Sequence, residues 1–239
     1  MRWFLGMGLM AMAAATSACS FEGPQSPGRT IQKTYPVGAF DKIELAGAYD
    51  ATVRTGLAPS VEAKGGENVL DRLIVEVRDG KLLVHPKSRM GFHWGSSSHV
   101  QLSITVPQLH GATLAGSGHM NIDHVQGDMF EGTVAGSGGL TLASANVHSF
   151  KLSIAGAGNA KAAGGKVDEA QYDIAGSGDV DASAVTARQL KVSIAGAGGV
   201  RANATETADV NIMGSGDVNI TGGAKCTISK AGAGDVHCS

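Results

Sequence analysis

The stretch IAGAGNAKAAGGKVDEAQYDIAGSGDVDAS, residues 154–183, contains one phrase twice: Ile-Ala-Gly-Ala-Gly starts at Ile154 and Ile-Ala-Gly-Ser-Gly starts at Ile174. The same Gly-Ser/Ala-Gly unit occurs seven times, at intervals of 20, 20, 20, 20, 18 and 18 residues. A recurring interval of this length is typical of solenoid repeats. The repeated glycines are Gly116, Gly118, Gly136, Gly138, Gly156, Gly158, Gly176, Gly178, Gly196, Gly198, Gly214, Gly216, Gly232 and Gly234.

The residues on both sides of each glycine pair alternate between apolar and polar or small. Around the copy at 176–178, Tyr172 and Ile174 precede the corner and Val180 and Ala182 follow it. A period of two is typical of a β-strand, whereas a helix repeats about every 3.6 residues. Each repeat therefore predicts strand, glycine corner, strand. One such unit buries too little apolar surface to be stable alone, so we expect the units to stack as a β-solenoid over residues 108–239.

The composition agrees with a narrow solenoid core. The chain of 239 residues is 43% hydrophobic but only 5% aromatic, and it contains 35 glycines. Repeated tight corners account for the glycines, and small inward-facing residues account for the shortage of aromatic side chains. The net charge is −2, with scattered Lys and Arg, so we expect no nucleic-acid partner.

Residues 35–107 keep the strand period but lose the repeat interval. Asp79-Gly80 predicts a hairpin turn, residues 67–71 allow a short helical turn, and Leu45-Ala46-Gly47-Ala48 resembles a degenerate early corner. We therefore predict an all-β chain. In a single domain, 35–239, an irregular antiparallel β portion precedes the regular repeats and shares one core with them.

The N-terminus is typical of an exported protein. A basic residue, a short apolar run and small residues predict a signal peptide over 1–18. Thr-Ser-Ala-Cys resembles the lipobox of bacterial lipoproteins, with Thr16 in place of the usual Leu. The resemblance implies that Cys19 carries lipid and anchors the chain to a membrane through a flexible tether, 19–34. Serine at position 20, directly after the cysteine, resembles the residue found there in lipoproteins that are sent to an outer membrane. The domain would then face the periplasm or the cell surface. The alternative is ordinary cleavage, which gives a soluble secreted or periplasmic protein.

An ordered set of motifs resembles one bacterial family. FDKIELAGAYDATVRTG (40–56), VEAKGGENVLDRLIVEVRDGKLLVHPK (61–87) and VQLSITVPQLHGATLAGSG (100–118), followed by the recurring corners, resemble the DUF2807 family, also called the putative autotransporter adhesin, head GIN domain. The resemblance covers essentially all of 37–239. It implies a right-handed β-helix and an adhesion role, and that role is inferred from the fold rather than from chemistry.

The glycine pairs themselves allow two ligand interpretations. A phosphate loop needs a helix after the glycines, but alternating strand residues follow every copy, so we predict a turn instead. Gly-Ser-Gly-Asp at 176–179 and 214–217 resembles calcium-binding β-roll repeats, yet Gly199 interrupts the acidic column. We expect solvated acidic corners, no metal site and no cofactor.

Residues 91–99, GFHWGSSSH, form the most unusual stretch outside the repeats. Phe92 and Trp94 suit stacking on a sugar ring, and His93 and His99, with His85 nearby in sequence, suit a transition metal. The alternative is a flexible loop whose aromatic residues fold back on the domain. If the chain has a ligand loop, this one is the candidate.

Cys226 and Cys238 are an even pair in an exported chain, which favours a disulfide over a metal site. Their positions relative to the last corner match core-facing positions of earlier copies, so we expect a disulfide that staples the terminal rung. Lys230 stands where most copies have Val or Ile and suits an end cap.

These features favour a cell-envelope lipoprotein whose β-solenoid is a non-enzymatic scaffold for binding or adhesion to a protein or glycan. A glycosidase needs converging carboxylates, and the acidic residues between Asp123 and Asp181 are evenly spread. Two alternatives stay open: a polysaccharide-active enzyme that uses a groove of the solenoid, and a purely structural or stress-related envelope component.

Overall fold

The computed structural model describes residues 27–87 and 100–239, and this part of the chain is almost entirely β-structure. One short helix, α1, spans Glu67–Leu70. The strands are β1 (Thr30–Tyr35), β2 (Lys42–Gly47), β3 (Tyr49–Thr55), β4 (Ser60–Gly66), β5 (Leu73–Arg78), β6 (Lys81–Pro86), β7 (Val100–Val106), β8 (Gly111–Gly116), β9 (His119–Gly136), β10 (Gly139–Gly156), β11 (Asn159–Ala162), β12 (Gly165–Gly176), β13 (Asp179–Gly196), β14 (Gly199–Gly214), β15 (Asp217–Thr221), β16 (Lys225–Gly232) and β17 (Val236–Cys238).

Strands β8 to β17 stack in parallel as the rungs of a β-solenoid of about six turns, which confirms the predicted fold class. The register sets each corner glycine beside that of the rung before. The column runs through Gly116, Gly136, Gly156, Gly176, Gly196, Gly214 and Gly232. Where the interval first shortens, register shifts between Ala182 and Thr186 and between Ala187 and Gln189 together absorb the missing residues, so the columns on either side stay aligned.

Each regular rung has three walls. Along a wall every second residue faces the core, and at two points in each rung the next core-facing residue comes three positions later, where the chain bends into a new wall. The glycine corner separates the third wall from the first wall of the next rung. In the rung 139–156 the buried residues are Leu140 and Leu142 in the first wall, Ala145 and Val147 in the second, and Phe150, Leu152 and Ile154 in the third. Two consecutive outward residues mark each additional bend. The sequence pattern identified only the glycine corner, since the other two bends need no glycine.

The glycine corner is a place where backbone lies directly on backbone. Gly176 has a φ of 135°, a conformation that glycine adopts without steric cost, and a Cβ built on it would collide with the carbonyl oxygen of Gly156. The neighbouring amide uses that same oxygen: Ser177 N–H donates to Gly156 O at 2.9 Å, and Ala197 N–H donates to Gly176 O at 2.9 Å. The glycines therefore set how closely successive rungs approach.

Strands β2 and β3 form one further rung in front of the regular repeats. Gly47 pairs with Gly116, so the degenerate corner suggested by Leu45-Ala46-Gly47-Ala48 is a true member of the column. β3 pairs in parallel with both β7 and β9, and β2 with both β6 and β8. Beyond them, β4 pairs antiparallel with β7 and β1, and β5 with β6, through the predicted Asp79-Gly80 hairpin. A single hydrophobic cluster runs through both portions, as predicted.

The C-terminal rung ends the core. The structure joins Cys226 and Cys238 by a disulfide with the Cα atoms 6.7 Å apart. Cys226 pairs with the buried Ala208 and Cys238 with the buried Ile220, so both sulfur atoms belong to core-facing columns. Lys230 occupies the column of the buried isoleucines, and its ammonium group donates to the carbonyl oxygen of Gly234 at 2.6 Å.

The corner contact predicts an ordered series of glycine-to-alanine effects. Gly176→Ala introduces both a strained φ and a backbone collision, so we expect a loss of more than about 2 kcal/mol in the free energy of unfolding. Gly127 has a φ of 123° but open space around a Cβ, so Gly127→Ala should cost about 1–2 kcal/mol. Gly38 has neither constraint, so Gly38→Ala should be close to neutral.

Urea unfolding of the three variants measures this series. Equal losses for Gly176→Ala and Gly127→Ala would show that the φ angle alone, and not the contact between rungs, requires glycine at the corner.

Candidate functional site

Several sequence-predicted site residues lie outside the part of the chain that the structure describes: Cys19, Phe92, His93, Trp94 and His99. The lipid anchor and the loop at 91–99 therefore stay predictions. His85, which the sequence placed near that loop, lies on β6. Its Nδ1 is 3.1 Å from the carbonyl oxygen of Pro86, and its Nε2 is 3.7 Å from a carboxylate oxygen of Glu76.

The acidic corner residues have a structural role along the solenoid. The residue after the second corner glycine stands in one column, and where it is Asn159, Asp179 or Asp217 its side-chain oxygen accepts the backbone N–H of the next rung. Asp179 Oδ1 accepts from Gly199 N at 2.8 Å, and Asp217 Oδ1 accepts from Asp235 N at 2.9 Å. Asn159 does the same for Asp179 N at 3.3 Å. Each side chain extends the hydrogen-bond ladder across the corner, which explains the calcium-like spacing of aspartates without a metal.

Within residues 27–87 and 100–239, no group of His, Cys, Asp and Glu is arranged to hold a metal ion. A groove of 630 Å³ follows this corner at the C-terminal end, with Asp179, Asp217 and Asp235 in its lining. These carboxylates stack along one line of the solenoid, and register places Asp217 one rung from Asp235 and two from Asp179. Two of the three carboxylates, those of Asp179 and Asp217, are already committed to backbone N–H groups of the next rung.

This role predicts that the acceptor oxygen, and not the charge, matters at Asp179. Asp179→Ala removes the acceptor for Gly199 N–H and should lower the free energy of unfolding by about 1 kcal/mol, whereas Asp179→Asn keeps an oxygen and should be nearly neutral. Thermal unfolding with and without Ca²⁺ measures both effects. A rise in melting temperature with Ca²⁺ that Asp179→Asn abolishes would restore the calcium interpretation.

A cluster that the sequence did not indicate forms where β3 ends. The hydroxyl of the buried Thr55 lies 3.0 Å from His124 Nε2, and His124 Nδ1 lies 3.3 Å from Asp123 Oδ1. The order hydroxyl, imidazole, carboxylate resembles a hydrolytic triad. However, the hydroxyl also contacts Asp123 Oδ1 and the carbonyl oxygen of His124, and Asp123 accepts the backbone N–H of Thr55 at 3.1 Å. The carboxylate thus satisfies the end of the strand, and we assign the cluster a structural role.

The bend between the second and third walls carries a ladder of alternating charge. His148 Nδ1 lies 2.6 Å from Asp168 Oδ2, Arg188 Nη1 lies 3.6 Å from Asp168 Oδ1, and Arg188 Nε lies 2.8 Å from Glu206 Oε1. The hydrogen bond from His148 is the main cause that lowers the pKa of Asp168, and the charge of Arg188 adds to it. The ladder lies on the exposed outer surface and links four successive rungs.

Because the pKa of Asp168 is lowered in the folded state, ionised Asp168 favours folding above the ordinary pKa of a carboxyl group. That contribution is lost as the pH falls through the lowered value. His148→Ala should raise the pKa of Asp168, measured by NMR titration of its carboxyl carbon. The pKa of Asp181 is also lowered, but by Ser183, and should not change in the same variant. An unchanged pKa of Asp168 would show that the hydrogen bond from His148 does not form in solution.

The outer face of the third wall presents two columns that the register aligns over the whole solenoid. The alanine column comprises Ala46, Ala115, Ala135, Ala155, Ala175, Ala195, Met213 and Ala231. The polar column, two residues earlier in each rung, comprises Glu44, Thr113, Thr133, Ser153, Asp173, Ser193, Asn211 and Ser229. Most rungs therefore offer one methyl group and one short polar group side by side.

These columns line a groove of 740 Å³, which we call the third-wall groove. It crosses six rungs, from Thr133 to Ser229 in the polar column and from Ala155 to Ala231 in the alanine column, with Lys191 and Lys230 also in its lining. Met213 is the one large side chain in the alanine column and is 71% exposed. Across the described residues, the hydroxyls of Ser153 and Ser193 make no hydrogen bond with another group. The groove thus contains polar groups that the fold itself does not use.

Sequence reasoning missed this groove although its signal is present. The alanine between isoleucine and glycine in every Ile-Ala-Gly copy is the alanine column, and the polar residue before the isoleucine is the polar column. Small outward-facing residues carry no chemical signal singly, and only the stacking of rungs turns them into a surface.

Comparisons with known proteins agree with this architecture. The family described as putative auto-transporter adhesin, head GIN domain, matches residues 39–224. No curated protein matches the chain significantly. A putative adhesin from Bacteroides fragilis NCTC 9343 has a similar structure, with a TM-score of 0.80, 21% identity and coverage of 88% of this chain and 97% of that one.

A putative lipid binding protein from Parabacteroides distasonis ATCC 8503 is 24% identical with a TM-score of 0.69, and the match covers 89% of this chain and 97% of that one. A putative adhesin from Parabacteroides merdae ATCC 43184 is 18% identical with the same TM-score and the same coverage of both chains. At these identities the solved structures show the fold alone. The family match spans most of the chain, and the chain therefore belongs to the DUF2807 family, the putative autotransporter adhesins with a head GIN domain.

Proposed function

We propose that the protein is a non-enzymatic scaffold for binding or adhesion and that the third-wall groove is its recognition surface. One observation carries the proposal: the groove runs over six rungs and presents aligned polar and methyl groups, among which the hydroxyls of Ser153 and Ser193 make no hydrogen bond within the described part of the chain. The corner groove differs, since Asp179 and Asp217 in its lining already accept backbone N–H groups. Membership of a family described as adhesins supports a binding role.

The charge pattern of the third-wall groove supports binding over hydrolysis. Asp173 is the one carboxylate in its lining, and it accepts a hydrogen bond from Gln171 Nε2 at 2.8 Å. Glycoside hydrolysis by the usual mechanism needs two carboxyl groups about 5–10 Å apart. A single carboxylate that already has a partner suits the holding of a ligand better than the cleavage of one.

The proposal includes an envelope location. The predicted signal peptide and Cys19 would fix the domain to an outer membrane by lipid, through the tether at 19–34. Among the residues that the structure describes, no helix is long and apolar enough to cross a membrane. Metabolic labelling with a lipid precursor tests the anchor: label should attach to the natural chain and not to Cys19→Ser.

A binding panel tests the recognition surface. The purified mature protein is offered glycans, envelope proteins and, since one structural relative is described as lipid binding, phospholipid vesicles. Ala175→Arg places a long side chain in the middle of the third-wall groove and should weaken capture at least about tenfold. Ala163→Arg, at an exposed position after the first wall, is the matched control and should not.

Two outcomes of the same panel would contradict the proposal. Loss of binding in Trp94→Ala but not in Ala175→Arg would make the loop at 91–99 the site. Release of reducing ends from a captured glycan, abolished by Asp217→Asn, would instead support the enzyme alternative through the corner groove.

A further inference from the structure

We propose that the third-wall groove takes an extended, uncharged polysaccharide that lies along the solenoid axis, with about one sugar ring over each rung. This inference rests on the proposed function and names the class of ligand. It follows from the spacing of the two columns, from their chemistry and from one exposed methionine.

The spacing favours a sugar chain over a peptide. Neighbouring rungs lie about 4.8 Å apart, so the groove repeats the same pair of groups at that distance for about 24 Å. An extended peptide presents side chains to one face only about every 6.7 Å, and it loses register with the rungs within two or three steps. The ring-to-ring distance of an extended pyranose polymer is much closer to the rung spacing, so its units drift against the columns far more slowly than peptide side chains do.

The chemistry of the columns matches that of a sugar ring. Ser153 and Ser193 supply hydroxyl groups, and Asn211 supplies an amide that both donates and accepts. Beside them, the methyl groups of Ala155, Ala175 and Ala195 form a narrow apolar strip that suits the C–H face of a ring. A hexose has hydroxyl groups at its edge and C–H groups on its face, which is the same division across a similar width.

The charges of the groove favour an uncharged chain. Its lining contains Asp173 together with Lys191 and Lys230, and Asp173 and Lys230 already have partners in Gln171 and the carbonyl oxygen of Gly234. No row of like charge faces the ligand along the six rungs. A polyanion would meet Asp173 near the middle of the groove without a compensating row of cations.

Met213 provides an apolar contact that the other rungs lack. Its side chain is 71% exposed in a column that otherwise contains alanines, and it pairs with Ala195 on one side and Ala231 on the other. An exposed thioether is flexible and polarizable and adapts to an apolar surface. We assign Met213 to the flank of the groove, where it packs against a ring of the bound chain.

A length series tests the inference. Isothermal titration uses cello-oligosaccharides of one to eight rings as uncharged probes and oligogalacturonides of matched length as charged ones. Because each added ring gains hydrogen bonds without a new association cost, affinity for the uncharged series should rise about fivefold per ring up to six rings and then level. The charged series should bind more weakly at every length.

Two exposed methionines give a matched pair of variants. Met213→Ala should weaken binding of the six-ring probe about fivefold through lost apolar contact, whereas Met129→Ala, which is 53% exposed and outside the groove, should not change it. Both variants should keep the melting temperature of the natural chain.

The outcomes separate the two proposals. If Ala175→Arg blocks capture of a protein or vesicle while no oligosaccharide binds, the groove is a recognition surface and the sugar ligand is wrong. If oligosaccharides bind with an affinity that does not depend on length, or equally well to Met213→Ala, the alignment of rings with rungs is wrong. If Ala175→Arg changes the capture of nothing in the panel, the proposed function itself is wrong.

Discussion

The structure depends on the contact between the backbones of successive glycine corners. At each regular corner a carbonyl oxygen of one rung receives the amide of the next at about hydrogen-bond distance, in the space that a side chain would occupy. This contact fixes the rungs at one line along the solenoid. Register then stays constant along each wall, with shifts, among the described strands, only between β13 and β14, so a position in the repeat becomes a column in space, whether it faces the core or the solvent.

The sequence predicted those parts of the fold in which the contact between glycine corners leaves a repeated pattern of residues. Glycine is required at the corner, and residues at two and four positions on either side alternate because strands lead into it and out of it. The two other bends of each rung leave only a step of three between buried residues such as Leu142 and Ala145, which a period of two does not reveal. Residues 42–55 form an additional rung, and in the sequence only the corner at Gly47 indicates it. The repeat interval does not, because Gly47 pairs with Gly116, which is far away in the chain.

The candidate site was less predictable for the same physical reason. The aromatic and imidazole groups of residues 91–99 indicated a ligand loop, since single side chains of that kind can bind ligands by themselves. An alanine or a serine cannot, and Ala175 and Ser193 become part of a surface only when rungs place many of their kind in a row. The aspartates at the corners show the converse. Asp179 has the chemistry of a calcium ligand, but its position in the column commits it to the amide of Gly199. In a solenoid, the column in which a residue stands decides its role as much as its side chain does.

Site-resolved hydrogen exchange at the corner amides tests most directly whether the contact between glycine corners holds the rungs together. Ala157, Ser177 and Ala197 are exposed residues, yet their N–H groups donate to the glycine carbonyls of the preceding rung at 2.9 Å. The account predicts that these amides exchange as slowly as that of the buried Val192, and far more slowly than that of Gly38, which lies outside any strand. Exchange of the corner amides at the rate of Gly38 would contradict it, because the rungs would then be held together by their walls alone.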